Sequence, residues 1–270
     1  KVISKQLLHV YDKPMIYYPL TTLMLAGIRD ILIIVNPNEL NLFQKLLDDG
    51  KEWGLNISYA IQEHPRGIGE AFLIAEDFLN KSPSALILGD NLFYGDRLST
   101  LLQENNADIS GAKVFAYPVS DPQRYGVVEF DSNRNVLSIE EKPTHPKSNF
   151  SITGIYFYDS TAVEKAKRLK PSNRNELEIT DINKMYLEEQ QLKVEIFGRG
   201  FAWLDTGTWD SLHDAATFIR TLENRQGLKI GCPEEIAWRM NWINDKQLIN
   251  LSKQTLQSGY GKYLLDIIKL

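Results

Sequence analysis

Ala85-Leu86-Ile87-Leu88-Gly89-Asp90-Asn91 is the stretch on which the fold turns. Four consecutive apolar residues with no polar alternation suit a short strand buried on both faces, and Gly-Asp-Asn suits a turn at its carboxyl end. A second such run, Ile31-Leu32-Ile33-Ile34-Val35, lies upstream. Helical patterns fill the intervals. Residues 14–26 read as a helix with Pro14 at a first helical position and Gly27 as its stop, and residues 38–49 read as a second that stops at Gly50. Ile57 to Ile61 reads as a strand and residues 69–80 as a helix. Strands alternating with helices predict an α/β fold: a mixed, mostly parallel sheet flanked by helices on both faces.

Beyond residue 112 the rhythm changes. Val114–Pro118, Gly126–Phe130, Val136–Ile139 and Ile152–Tyr158 read as strands with fewer helices between them. This predicts a mixed second half of the sheet, or a small antiparallel extension. Helices return at 160–169, 178–190 and 208–226, and the remainder of the chain is helical by pattern. The expected division is an α/β domain over 1–225 and a helical C-terminal extension over 226–270. Trp238 and Trp242, four apart, share a helical face, and core or interface packing is their ordinary use.

Composition narrows the function classes. A chain of 270 residues with 43% hydrophobic and 24% charged residues can bury a sizeable core without staples. Its net charge of −5 argues against a nucleic-acid footprint, and an anion ligand would need positive charge gathered locally. Cys232 is the single cysteine, so no internal disulfide forms and a reducing compartment is expected. No apolar run approaches the ~20 residues of a membrane span, and no signal peptide is read.

In open parallel sheets, ligands bind beyond the carboxyl ends of the strands. Asp90 follows the run 85–88, and Asp205 follows Phe201-Ala202-Trp203-Leu204. Two such carboxylates can share one Mg²⁺, which takes oxygen ligands and completes its shell with phosphates and water; alternatively, each Asp caps a helix or turn. Lys5 is a further basic candidate. Lys142, in Glu140-Glu141-Lys142-Pro143, can meet a phosphate as a point charge, and Glu141 can accept hydrogen bonds from sugar hydroxyls. The alternative there is a solvated charge cluster. Arg174 precedes a helix in a polar loop and can fork onto a phosphate or belong to loop surface. Gly67-Ile68-Gly69 is a fragment of a glycine-rich anion loop, with no complete dinucleotide or P-loop motif anywhere. The histidines at 9, 64, 145 and 213 lack metal spacing, and Cys232 has no nearby His.

Several blocks, in order along essentially the whole chain, resemble the sugar-phosphate nucleotidylyltransferases, and above all the short glucose-1-phosphate thymidylyltransferases. They are Ser4-Lys5-Gln6-Leu7-Leu8, residues 10–20 from Val10 to Leu20, Leu88-Gly89-Asp90-Asn91, Arg124-Tyr125-Gly126-Val127-Val128, Ile139-Glu140-Glu141-Lys142-Pro143, Glu176-Leu177-Glu178-Ile179-Thr180-Asp181 and Trp203-Leu204-Asp205-Thr206-Gly207-Thr208. The resemblance implies the Rossmann-like nucleotide-diphospho-sugar transferase fold. It implies that Lys5 touches the triphosphate and the sugar phosphate, that Gln62 and Gly67 read the base, and that Asp90 and Asp205 hold Mg²⁺. Tyr125, Gly126, Glu141 and Tyr156 would bind glucose, and Lys142 and Arg174 its phosphate. The implied reaction is displacement at the α-phosphorus of dTTP by glucose 1-phosphate, giving pyrophosphate and dTDP-glucose, a precursor of rhamnose and other deoxysugars. A cytoplasmic homotetramer with a feedback nucleotide site is implied as well, without nucleic-acid or membrane partners. The chemistry suits the residue inventory: a phosphomonoester, with its second pKa near ~6, is already ionised at neutral pH and needs no general base.

The sequence departs from the family's pattern in places. The family's first strand ends in a Gly-Gly-x-Gly-Thr-Arg-Leu loop that wraps the triphosphate, and the sequence opens after it. A longer natural chain is therefore expected. A chain truly starting at Lys1 is expected to fold poorly and turn over little. Burying about five apolar side chains at roughly 1.5–3 kcal/mol each is comparable with a domain's net stability of about 5–15 kcal/mol. The rival readings are a catalytically impaired sugar-nucleotide-binding homologue and a transferase using another triphosphate. His9 replaces a usual Pro, Ile68-Gly69-Glu70 a usual Leu-Ala-Gln, and Asn173 to Asn175 a glycine-containing loop around Arg174.

Overall fold

The computed structural model describes residues 4–269. The strands are β1 (His9–Val10), β2 (Lys13–Pro14), β3 (Asp30–Val35), β4 (Asn56–Ile61), β5 (Ser84–Ile87), β6 (Asn91–Gly95), β7 (Ala112–Pro118), β8 (Gly126–Phe130), β9 (Val136–Glu141), β10 (Phe150–Tyr158), β11 (Leu192–Ile196) and β12 (Phe201–Asp205). The helices are α1 (Tyr17–Leu25), α2 (Leu40–Leu47), α3 (Glu70–Ile74), α4 (Glu76–Leu79), α5 (Leu98–Ala107), α6 (Ala162–Ala166), α7 (Ile179–Glu188), α8 (Trp209–Gln226), α9 (Pro233–Arg239), α10 (Asp245–Ser252) and α11 (Tyr260–Ile267).

A six-stranded sheet forms the centre, in the order β11-β7-β10-β8-β9 with β5 also paired to β10. Strands β5, β7 and β8 all run antiparallel to β10, and β11 runs parallel to β7. These four therefore point one way, and β10 and β9 run against them. The α/β class and the helix-flanked mixed sheet expected from the sequence are what the chain forms, with four of the six central strands sharing one direction. Strand β10 shifts register between Ile152 and Tyr156, a bulge that carries Gly154.

Strand β3 pairs in parallel with β4 alone, and β5 with β10 alone, among the described residues. The two bound a cleft of about 1870 Å³. This accounts for a difference from the expected double-sided burial. Ile31, Ile33 and Val35 are buried, whereas Leu32, Ile34 and all of β5 are only half-buried.

Apolar packing ties the C-terminal helices to the sheet. Cys232, Ala237, Ile243, Leu248, Leu264 and Ile267 share one core with α1, α2, β3 and β4. A second core lies between the central sheet and helices α6 and α7. A third joins α5 to Phe115, Phe157, Phe197 and Trp203, and a fourth joins α8 to Val10, Met15, Tyr18 and Leu92.

Local differences have local causes. Pro14 does not open a helix: it pairs with His9 in β2, and α1 begins at Tyr17. Helix α5 buries little beyond Leu98 and Leu102, a stripe too narrow to stand out in a polar sequence. Helix α9 stops short of Trp242 because Asn241 turns the chain at φ 58°. Trp238 and Trp242 still pack against the first core, as their ordinary use predicts.

Candidate active site

Two sheets, the central one through β5 and the two-stranded pair of β6 and β12, set two carboxylates at neighbouring strand ends. Strand β5 runs through Leu88 and Gly89 into Asp90, while β12 ends on Asp205, which pairs across the ladder with Asn91 of β6. Thr206 locks the two ends together, since its buried N–H and hydroxyl both donate to the Asp90 carbonyl, at 3.1 and 2.8 Å. Asp90 and Asp205, residues far apart in sequence, thus share one corner of the molecule.

That corner is electrostatically loaded. Lys5 Nζ donates to Asp90 Oδ2 at 2.5 Å. Asp205 Oδ2 accepts from the Tyr125 hydroxyl and from Arg124 Nη2, each at 3.2 Å. Burial raises the proton affinity of Asp205, repulsion from Asp90 raises it further, and Arg124, Lys5 and Tyr125 oppose the shift. Asn91 orients the corner from below. Its buried amide donates to Asp90 Oδ1 at 2.8 Å and accepts from Gly154 N at 3.1 Å and Trp203 Nε1 at 2.6 Å.

A second group of predicted residues gathers beside it. Gly126 pairs with Glu141 between β8 and β9, and the Thr180 hydroxyl at the start of α7 donates to Glu141 Oε2. The Cβ that any other residue would carry at 126 would lie 3.1 Å from Thr180 Oγ1 and 3.4 Å from Glu141 Oε2. Burial pushes the Glu141 carboxyl up, against the Thr180 hydrogen bond and the charges of Lys142 and Arg174. Tyr156 is buried and stacked on Tyr158 at 6.1 Å, and its phenol is raised by burial and by Glu141. Lys142 holds φ at 45°, with its N–H on the Tyr125 carbonyl at 2.9 Å. That left-handed conformation is uncommon in a residue with a side chain, and here it precedes a proline. Arg174 is shared among Glu178 at 2.7 Å, Glu176 at 2.8 Å and Glu141 at 3.5 Å.

The remaining pair, Gln62 and Gly67, sits on the loop between β4 and α3. Gln62 lines the cleft between β3 and β5, together with Lys5, Ile68 and Gly89. Gly67 adopts φ +101°, and a Cβ there would come within 2.5–2.6 Å of the Leu177 backbone. Leu177 N donates to Arg66 O at 2.6 Å, and Gly69 N to Leu177 O at 2.8 Å. The glycines at 67 and 69 therefore serve a tight contact between two loops, and that contact links the Gln62 loop to the loop of Arg174.

Four residues of the site had no role assigned from sequence: Asn91, Arg124, Thr180 and Thr206. Each lies inside a block that carries the family resemblance, which was the available signal. Each also has a partner 39 to 116 positions away, and no local pattern announces those contacts.

A family model described as nucleotidyl transferase matches residues 1–221. The chain is 55% identical over 267 residues to a glucose-1-phosphate thymidylyltransferase of Neisseria meningitidis serogroup A, covering 99% of this chain and 93% of the relative. It is 56% identical over 269 residues to the protein of the same name from Xanthomonas campestris pv. campestris, covering 100% and 91%. A Bacillus anthracis crystal structure named for the same enzyme, in complex with a sucrose, is 40% identical with a TM-score of 0.75 over 81% of this chain and 87% of that one. With the motifs, the paired strand-end carboxylates and these likenesses in agreement, the chain belongs to the nucleotidyl transferase family.

Proposed function

We propose that the chain transfers a thymidylyl group from dTTP to glucose 1-phosphate, yielding dTDP-glucose and pyrophosphate. The observation that carries this reading is the convergence of Asp90, Asp205 and Lys5 in one corner, in a chain that matches relatives of that name over nearly its whole length. The donor set suits Mg²⁺. Two carboxylates supply hard oxygen ligands and leave most of the shell for phosphate and water. Among the described residues no cluster of three or more His, Cys, Asp or Glu offers a softer or fuller cage. Bound there, Mg²⁺ would neutralise charge on the triphosphate.

The protein's own part is alignment. Two polyanions repel, so the reaction needs cations that hold them in line rather than a base that removes a proton. Lys5, partly exposed and lining the cleft, supplies one cation to the phosphates. Lys142 supplies a second, with its side chain beyond salt-bridge range of any carboxylate among the described residues. Arg174 supplies a third: its Nε and Nη2 carry the contacts to Glu178, Glu176 and Glu141, and its Nη1 makes none of them. Glu141 and Tyr156, with Tyr125 and Gly126, face the sugar, and Gln62 with Gly67 faces the base. No helix among those described is long and apolar enough to cross a membrane. A cytoplasmic homotetramer with a feedback nucleotide site remains part of the proposal, and light scattering with and without dTDP-sugar tests the assembly.

The function itself is tested by pyrophosphate release with glucose 1-phosphate and each of dTTP, UTP, CTP and ATP. Mg²⁺-dependent release, fastest with dTTP, is the expected result. Binding of dTDP-glucose without any release, or faster release with another triphosphate, would overturn it.

A further inference from the structure

Arg174 stands on the 172–178 loop, and its neighbours decide how its guanidinium is turned. Glu178, the cap residue of α7, takes one edge of that group. Its Oε1 accepts from Arg174 Nε at 3.2 Å and from Nη2 at 2.9 Å, and its Oε2 accepts from Nη2 at 2.7 Å. Ser172 fixes the carboxylate in turn. Its hydroxyl donates to Glu178 Oε1 at 2.6 Å and accepts from the Arg174 N–H at 3.1 Å. Glu178 is 6% exposed. A carboxylate taken that far out of water needs its charge paired and does not release its partner cheaply. Glu176 and Glu141 meet Nη2, at 2.8 and 3.5 Å. Nη1 donates no hydrogen bond to the protein among the described residues. Because the guanidinium is a planar fork, a carboxylate on its Nε–Nη2 edge leaves the Nη1 side as the one free to meet an anion.

We infer that Glu178 is a positioning residue for the acceptor substrate: by keeping the Nε–Nη2 edge of Arg174, it offers the Nη1 side to the phosphate of glucose 1-phosphate, so that Arg174 bridges two anions. The inference rests on the reading of Arg174 as a ligand of that phosphate. Glu178 touches no substrate and acts only through Arg174. A guanidinium that is already ordered loses little rotamer freedom when the phosphate arrives, so affinity for the sugar phosphate is what Glu178 protects. The same geometry gives a reason for arginine at 174. An ammonium is a compact point charge, and one held by Glu178 has no second edge to offer.

The test is Glu178→Gln, alone and combined with Arg174→Ala. An NH₂ in place of one carboxylate oxygen sets donor against donor and frees the guanidinium. KM for glucose 1-phosphate, and its Kd by calorimetry, should rise at least about tenfold, the worth of a charge-assisted hydrogen bond, while KM for dTTP stays within about twofold. A merely structural role loosens a loop that is docked through Leu177 on Arg66 and Gly69, and raises both KM values together. That result, or no change in either, overturns the inference. In the Arg174→Ala background, Glu178→Gln should weaken glucose 1-phosphate no further, since a residue that works through another has nothing left to act on. Losses that multiply overturn the inference as well. Arg174→Ala with unaltered affinity for glucose 1-phosphate overturns both the reading of Arg174 and the inference built on it. A wild-type chain that binds glucose 1-phosphate without releasing pyrophosphate overturns the thymidylyl reading alone, because the double-variant comparison is then read on Kd. Should Glu178→Gln not fold, Arg174→Lys decides: the affinity for glucose 1-phosphate must fall at least about tenfold, since the charge is kept and only the second edge is lost, and a smaller fall sinks the inference.

Discussion

Asp205 is under conflicting demands. Burial and the neighbouring Asp90 disfavour its charge, while Arg124, Lys5 and Tyr125 favour it, and the balance lies toward the proton. A carboxyl whose folded pKa is raised binds protons more tightly than in the unfolded chain. Its charge therefore opposes folding above the raised value, and the penalty fades as pH falls through it. Asp205→Asn should accordingly raise the thermal midpoint at pH 7 by about 1–3 °C while abolishing Mg²⁺-dependent pyrophosphate release. A lowered midpoint in a calorimetric scan would contradict the electrostatic account. Divalent-ion affinity should also weaken on acidification at a higher pH than an ordinary carboxylate implies, because the metal competes with that proton. Isothermal titration with Mn²⁺ across pH 4–7 measures this.

At the scale of elements, the contact between the 62–70 loop and the 172–178 loop couples the two ends of the site. Gly67 stands at φ +101° against the Leu177 backbone, where neither the conformation nor the space admits a side chain. Gly67→Ala should cost about 1–3 kcal/mol from strain alone. Because the loops are joined, it should also raise KM for both the nucleotide and the sugar phosphate. Steady-state kinetics with each substrate varied in turn checks this, and a change confined to the nucleotide would show the loops to be independent. Leu177→Ala, which keeps the backbone contacts, should leave both KM values within about twofold, since the hydrogen bonds involved are backbone ones.

The whole molecule is held across its parts by charge as well as by packing. Lys13 and Glu223, both 3% exposed, pair at 3.2 Å. Lys13 also meets Asp12 at 2.5 Å, and Lys229 meets both Glu223, at 2.6 Å, and Asp12. This quartet joins the β1–β2 hairpin to α8 and to the segment that leads into the C-terminal helices. Removing one partner from a buried pair leaves the other charge uncompensated, at a cost of about 3–5 kcal/mol. Glu223→Ala should lower the urea midpoint accordingly, with an unchanged m-value. A loss below about 1 kcal/mol would place the quartet with ordinary surface pairs. The hairpin also leads into Met15, whose sulfur lies 3.1 Å from the Thr206 hydroxyl, so the variant should reduce turnover too.

Period and order are local properties, and the amino-acid sequence determined what depends on them. The apolar runs at 31–35 and 85–88, the helices between them and the strand-rich middle announced an α/β sheet. The ordered blocks around Asp90, Glu141 and Asp205 announced the family. Cross-strand register and long-range partners were left to the tertiary structure. Pairing Asp205 with Asn91, docking Gly67 on Leu177 and closing Glu70 over Gln62 each need chain segments to meet in one orientation. Even Glu70, only eight positions from Gln62, meets it while buried and paired with Arg66, an arrangement that no spacing rule encodes. Hydrophobic patterning says which face of an element is buried; which atoms it is buried against is decided only when the packed elements exclude water and every polar group inside must find a partner.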